Sequence, residues 1–165
     1  MVAKMPASLV KRINLDFVYP TFLEKALEVL AACAARNATY IATSGYRSYS
    51  EQEQLWMQGR LRPGTIVTKA HGGQSSHNFG LAIDVARIMP DGKASWKAED
   101  YSVYGEEIAR LGLHWGITYK DAPHMSVTGL VSATELKPLD KIYQDAKGEP
   151  LDKLKQVWHF LDHGN

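Results

Sequence analysis

Apolar residues recur along this chain at spacings that change from one stretch to the next, and each spacing predicts an element. Phe22, Leu23, Ala26, Leu27, Leu30 and Ala31 fall at helical spacing, so residues 21–36 should form an amphipathic helix. Thr21 followed by Glu24 has the form of a capping box at its start. Tyr40-Ile41-Ala42-Thr43 is short, rich in β-formers and runs into Ser44-Gly45, which reads as a strand ending in a turn. Ser50 with Glu53 predicts the cap of a second helix that contains Leu55, Trp56 and Met57 and stops at Gly59. Phe79–Val85 has the continuous apolar pattern of a buried strand, Asp100–Leu113 that of a helix with Gly112 near its end, and Met125–Val127 that of a further strand. The last stretch carries Leu136, Leu139, Ile142 and Tyr143, then Leu151, Leu154, Val157, Trp158 and Leu161, which suits two short amphipathic helices broken at Gly148–Pro150. Residues 60–76 are rich in Gly, Pro, Thr and Ser. A loop of that length inside a compact chain is commonly functional.

Composition narrows the picture. The chain has 165 residues, 45% hydrophobic and 22% charged, which fits one soluble globular domain. Its net charge of +1 gives no bulk attraction to nucleic acid or to an anionic membrane. The longest apolar stretch, near Ala26–Ala35, is interrupted by Glu28 and falls short of the roughly 18 residues of a span, so no membrane insertion is expected. Met1–Arg12 has no apolar run of the kind a signal peptide needs, so the expectation is synthesis in the cytoplasm without an export signal of its own. The single cysteine, Cys33, excludes an intramolecular disulfide and a thiolate zinc site, and reads as a small buried hydrophobe. Any metal here must be held by histidine and carboxylate, which directs attention to the six histidines.

His77 and Asp84 lie seven residues apart in Ser75-Ser76-His77-Asn78-Phe79-Gly80-Leu81-Ala82-Ile83-Asp84. A carboxylate at the end of an apolar strand is costly to bury unless it is paired or bound to a metal. With His124, in Asp121-Ala122-Pro123-His124, these make two imidazoles and one carboxylate. Three protein ligands that leave a fourth position for water are the arrangement of catalytic zinc. Asp121 stands three residues before His124, near enough to take a proton without occupying the metal, and Arg47, after the Tyr40–Thr43 strand, is a candidate partner for an oxyanion. Each also has a plain structural reading: Asp84 as a cap, Asp121 as a turn residue ahead of Pro123, Arg47 as half of a surface ion pair. His71 reads as a solvated loop residue or a groove residue, His114 as a histidine favoured by a helix C-terminus, and Trp56 and Trp115 as core.

At these residues the chain resembles a known family. Ser75-x-His77-x-x-Gly80-x-Ala82-x-Asp84 followed by Asp121-x-x-His124 is similar to the signature of the zinc D,D-carboxypeptidase/L-alanyl-D-glutamate endopeptidase family, peptidase family M15. Ser44-Gly45-Tyr46-Arg47-Ser48, Glu51-Gln52 with Leu55-Trp56, Gln58-Gly59-Arg60, Pro63-Gly64-x-Ile66-Val67-Thr68, Gly72-Gly73 and Leu111-Gly112-Leu113-x-Trp115-Gly116 bring it nearest the endolysin-like L-alanyl-D-glutamate endopeptidases. The resemblance implies an α+β single domain of helices on a small antiparallel sheet, like the Hedgehog N-terminal domain and the D,D-peptidases. It implies one Zn2+ per chain held by His77, Asp84 and His124, Asp121 as general base, Arg47 near the scissile carbonyl, and Ser75, Tyr46 and His71 as substrate contacts.

The implied substrate is the peptidoglycan stem peptide, cut between L-alanine and D-glutamate. The implied setting is a phage or prophage endolysin, monomeric, that reaches the wall after holin-type release. Two alternatives remain at this point: a D-alanyl-D-alanine carboxypeptidase of the same fold, and a non-catalytic zinc-containing wall-binding module. The resemblance divides the chain into a catalytic part, 1–128, and a helical extension, 129–165, which either packs on it or binds wall or a partner. The extension holds five Lys against six Asp and Glu, so it is not a cationic wall anchor.

Overall fold

Proline sets the start of the first helix. In the computed structural model, which describes residues 7–164, α1 runs Pro20–Ala35 with Pro20 in its first turn and Tyr19 as a cap without a side-chain bond. Proline lacks an N–H and its φ is already helical, so it suits that place. Thr21 therefore lies inside the helix, and the expected Thr21–Glu24 capping box does not form. β1 follows at Thr39–Ser44. α2 spans Tyr49–Met57 and is capped by Ser48, whose hydroxyl accepts from the Glu51 N–H while the Glu51 carboxylate accepts from the Ser48 N–H. The expected Ser50–Glu53 box is thus corrected to the overlapping pattern two residues earlier. Glu53 instead accepts from the Gly72 N–H at 2.7 Å.

A 3₁₀ turn, Ser76–Phe79, ends at Gly80 with φ +68°. A Cβ there would stand 2.3 Å from the Phe17 carbonyl oxygen, so only glycine fits. β2 is Ala82–Ile88, so the apolar run from Phe79 is a turn followed by a strand. β3 is Ala94–Ser95. The expected Asp100–Leu113 helix is a 3₁₀ turn, Ala98–Tyr101, leading into α3, Ser102–Arg110. β4 is His114–Trp115, β5 is His124–Ser126, α4 is Ala133–Asp145 and α5 is Pro150–His163.

The fold is α+β, with an antiparallel sheet in the order β1-β2-β5-β4 and β3 beside the far end of β2. The register matters for chemistry. Asp84 on β2 stands opposite Ser44 on β1 and opposite His124 on β5. The core joins α1 (Phe22, Ala26, Val29, Leu30, Cys33), β1 and β2 (Tyr40, Ala42, Ile83, Val85) and α3 (Tyr104, Ile108). Burial pushes the Cys33 thiol up to about 12, so it behaves as an apolar side chain.

Leu136, Leu139, Leu154 and Val157 of α4 and α5 enter the same core. The Trp158 indole N–H donates to the Phe79 carbonyl at 2.8 Å, and the Tyr49 hydroxyl donates to Asp140 Oδ1 at 2.8 Å. Among the described residues no helix is long and apolar enough to cross a membrane.

Candidate active site

The sheet register and one turn assemble the three candidate ligands. Asp84 and His124 are direct partners across β2 and β5, which brings His124 Nδ1 to 3.0 Å from Asp84 Oδ1. His77, in the turn that leads into β2, places Nε2 3.2 Å from Asp84 Oδ2. One donor atom from each of the three residues lies within 4.8 Å of the others. The two imidazoles are almost fully buried, and Asp84 is 21% exposed.

The protonation pattern says what this cluster requires. His77 Nδ1 is 2.7 Å from the Gly45 carbonyl oxygen. A carbonyl only accepts, so Nδ1 carries the proton and a neutral ring turns the Nε2 lone pair toward the carboxylate. Two lone pairs face each other there unless positive charge lies between them, as a proton or as a metal ion. Ligands about 2.0–2.1 Å from a tetrahedral zinc stand roughly 3.4 Å apart, close to the spacings present. The Gly45 carbonyl then acts as an outer partner that fixes the ring and its tautomer. Two imidazoles, one carboxylate and such an outer partner fit a Zn2+ site with an open position. Burial pushes the Asp84 carboxyl up, but His77 and His124 outweigh it and hold the group well below the usual carboxylate range.

Asp121 comes to the edge of this cluster, with Oδ2 3.9 Å from His124 Nδ1, and its side chain is 46% exposed. Burial first, then the Asp84 charge, raise its carboxyl against the pull of His124, His77 and Arg47. Its position follows from a tightly held loop. Asp121 N–H donates to Gly116 O at 3.0 Å, the Trp115 indole N–H to Ala122 O at 2.8 Å, and the buried Tyr104 hydroxyl to Pro123 O at 3.2 Å. Arg47 lines the same cleft. Its guanidinium donates to Gln52 Oε1 at 3.0 Å, and the fully buried Gln52 in turn donates to the Ala70 carbonyl at 2.8 Å.

The cleft has a volume of about 680 Å³ and is lined by Arg47, Val67, Thr68, Gln74, Ser75, His77, Asp84, Tyr119, Asp121 and His124, among others. Ser75 is at its wall, with the hydroxyl accepting from His77 N–H. Two expected substrate contacts are elsewhere. Tyr46 lines an adjoining cavity rather than this cleft, its ring tilted 33° to that of Phe17 with centroids 4.9 Å apart. His71 stacks on half-buried Trp56 at 4.1 Å and faces Glu53 at 3.1 Å, outside the cleft lining, so Trp56 is a platform rather than core. His114 does not sit at a helix C-terminus. It begins β4, stacks on Tyr119, and burial followed by His124 lowers its pKa.

The sequence patterns give no individual role to Gly45 or Gln52 and do not mark Tyr104 or Tyr119 at all. Gln52 and Tyr104 are buried polar side chains on otherwise ordinary helices, and only their contacts give them away.

Comparison with known proteins adds three findings. The family model described as VanY: D-alanyl-D-alanine carboxypeptidase matches residues 17–120. The peptidoglycan L-alanyl-D-glutamate endopeptidase CwlK of Bacillus subtilis (strain 168) is 39% identical over 122 residues, which cover 67% of this chain and 73% of that protein. The crystal structure of the Serratia marcescens L-Ala D-Glu endopeptidase ChiX aligns at 23% identity and a TM-score of 0.45, over 78% of this chain and 89% of that one.

Proposed function

Since the chain belongs to the VanY family, we propose that it is a zinc peptidase that hydrolyses the L-alanyl-D-glutamate bond of peptidoglycan stem peptides, with His77, Asp84 and His124 as metal ligands. The observation that carries this reading is the buried His77–Asp84–His124 cluster with Asp121 at its open side. A bound Zn2+ supplies Lewis acidity to a peptide carbonyl and lowers the pKa of a water toward about 7. Asp121 takes the proton from the attacking water and passes it to the leaving amine; its exposed carboxylate reaches the cleft where substrate lies. The Arg47 guanidinium, fixed by Gln52, faces the carbonyl oxygen on which charge develops.

Endopeptidase is favoured over carboxypeptidase by the shape of the groove. The cleft runs into two further cavities. Arg47 and Leu55 are shared with one of about 640 Å³, and Val67, Thr68, Tyr119 and Asp121 with one of about 800 Å³. An enzyme that removes a terminal residue needs one closed end, whereas one that cuts within a chain needs two open ones. The 39% identity to an L-alanyl-D-glutamate endopeptidase points the same way.

Digestion of purified peptidoglycan followed by mass spectrometry of new termini tests this. New N-terminal D-glutamate is the expected product. Release of free D-alanine instead would establish the carboxypeptidase, and no new termini with zinc present would remove both. The setting that fits the resemblance is a phage or prophage endolysin. Its test is the turbidity of cells that express the chain with and without a holin-type pore, with clearing expected only when the pore is present.

A further inference from the structure

The cavity on the far side of Arg47 has a wall that the family match does not include. Arg12, Ile13 and Asn14 form it, ahead of residue 17 where the match begins. Ile13 rests against Gly45, where an added Cβ would stand 3.4 Å from it, so this segment sits on the turn whose carbonyl holds His77. Arg12 is exposed and makes no ion pair or side-chain hydrogen bond among the described residues. The acid at the cavity, Glu51, already accepts from the Ser48 N–H at 2.7 Å. The Tyr46 ring forms part of the same wall.

We propose that this cavity is a carboxylate-recognising subsite, that Arg12 is its specificity-determining residue, and that it takes the free carboxylate of the stem-peptide glutamate. The inference rests on the endopeptidase reading above. Glutamate has two carboxyl groups, and the chain continues through one, which leaves the other as an anion beside the scissile bond. A guanidinium fork matches a carboxylate in shape and charge. Ile13, Phe17 and Leu55 line the same cavity with apolar surface. Arg47 and Leu55 connect the cavity directly to the ligand cluster.

The test uses the zinc-loaded full chain and two synthetic stem peptides that differ only in whether that carboxyl is free or amidated. The wild type should show a KM about tenfold lower for the free acid, with similar kcat. Arg12→Gln should raise KM about tenfold for the acid peptide, leave the amidated peptide unchanged and leave kcat alone, and Arg12→Lys should recover part of the loss. An equal effect on both peptides would overturn the assignment, as would loss of discrimination instead in a double variant, Lys69→Ala with Lys120→Ala, of the two lysines that line the cavity of about 800 Å³. Calorimetric binding of both peptides to Asp121→Asn separates this from the activity itself. If the digest shows a different bond cut, the endopeptidase reading fails, while the ratio of the two dissociation constants still decides whether Arg12 reads the carboxylate.

Discussion

The His77–Asp84–His124 cluster and the groove around it are built in opposite ways. His77 and His124 are almost fully buried, and each has its orientation fixed by backbone: His77 by the Gly45 carbonyl and His124 by its ladder position opposite Asp84. The groove walls carry exposed apolar side chains, with Ile66 at 53%, Val67 at 58% and Tyr119 at 46% exposure. A reacting centre gains from being preorganised, because charge stabilisation then costs no rearrangement during the reaction. A wall that meets a long polymeric substrate gains from side chains that adjust. The difference predicts that substitutions in the centre abolish turnover, whereas substitutions in the walls change how well substrate is held.

The largest effects should come from the centre, where two substitutions part metal from chemistry. On the proposed zinc site, His124→Ala removes a ligand and leaves Asp84 without its cross-strand partner, so zinc content measured by mass spectrometry should fall to a small fraction of one per chain and hydrolysis should be lost. Asp121→Asn removes no ligand. It should keep zinc near one per chain while kcat falls about 10²–10⁴-fold, the usual worth of a positioned proton acceptor. Near-normal turnover in Asp121→Asn would end its role as base. A zinc loss equal to that of His124→Ala would make it a ligand instead.

Next in size is the backing of the centre. Trp158 on α5 packs its ring 3.1 Å from where a Cβ on Gly80 would be and donates to Phe79 O, so the C-terminal helices brace the turn that carries His77. Trp158→Ala should cost about 3–5 kcal/mol of stability, read as a lower denaturation midpoint. A midpoint shift under about 1 kcal/mol would show that α5 lies on the body without supporting it. The walls should respond differently. An Ile66→Ser, Val67→Ser double variant removes apolar surface that is already in water, so stability should stay within about 0.5 kcal/mol and the change should appear in KM with kcat preserved. A fall in kcat at constant KM would place these residues with the centre.

How far the sequence foretold this depends on whether a feature is local. His77 and Asp84 sit in one short motif, and the helix break before Pro150 is written in Gly148 and Pro150, so these were legible. The direct pairing of Asp84 with His124 is a matter of strand register, which no spacing reveals. The caps failed for a specific reason: Ser48-x-Ser50-Glu51-x-Glu53 holds two overlapping capping patterns, and Glu53 is drawn off to the Gly72 N–H. The apolar spacing runs on past the end of the helix, which makes His114 read as a helix end. In fact α3 ends at Arg110, and Gly112, at φ +68°, turns the chain into β4.

The smallest expected effect lies far from the site and serves as the control for acid inactivation. Glu107 on α3 accepts from Arg110 Nε at 2.6 Å and from Arg36 Nη1 at 3.0 Å. Arg110 first, then Arg36, outweigh burial and hold its carboxyl below the ordinary value. A carboxyl lowered on folding adds stability above its unfolded pKa of about 4.3, and that contribution disappears as pH falls through the lower folded value. Glu107→Gln should therefore be less stable than wild type by about 0.2–1 kcal/mol at pH 7, with the gap closing as denaturation curves are taken into the acid range. Its peptidase activity at pH 7 should match wild type. A gap that stays constant with pH would assign the effect to packing rather than charge. A loss of activity at neutral pH would show that the distinction between a rigid centre and the rest of the molecule extends further than the site itself.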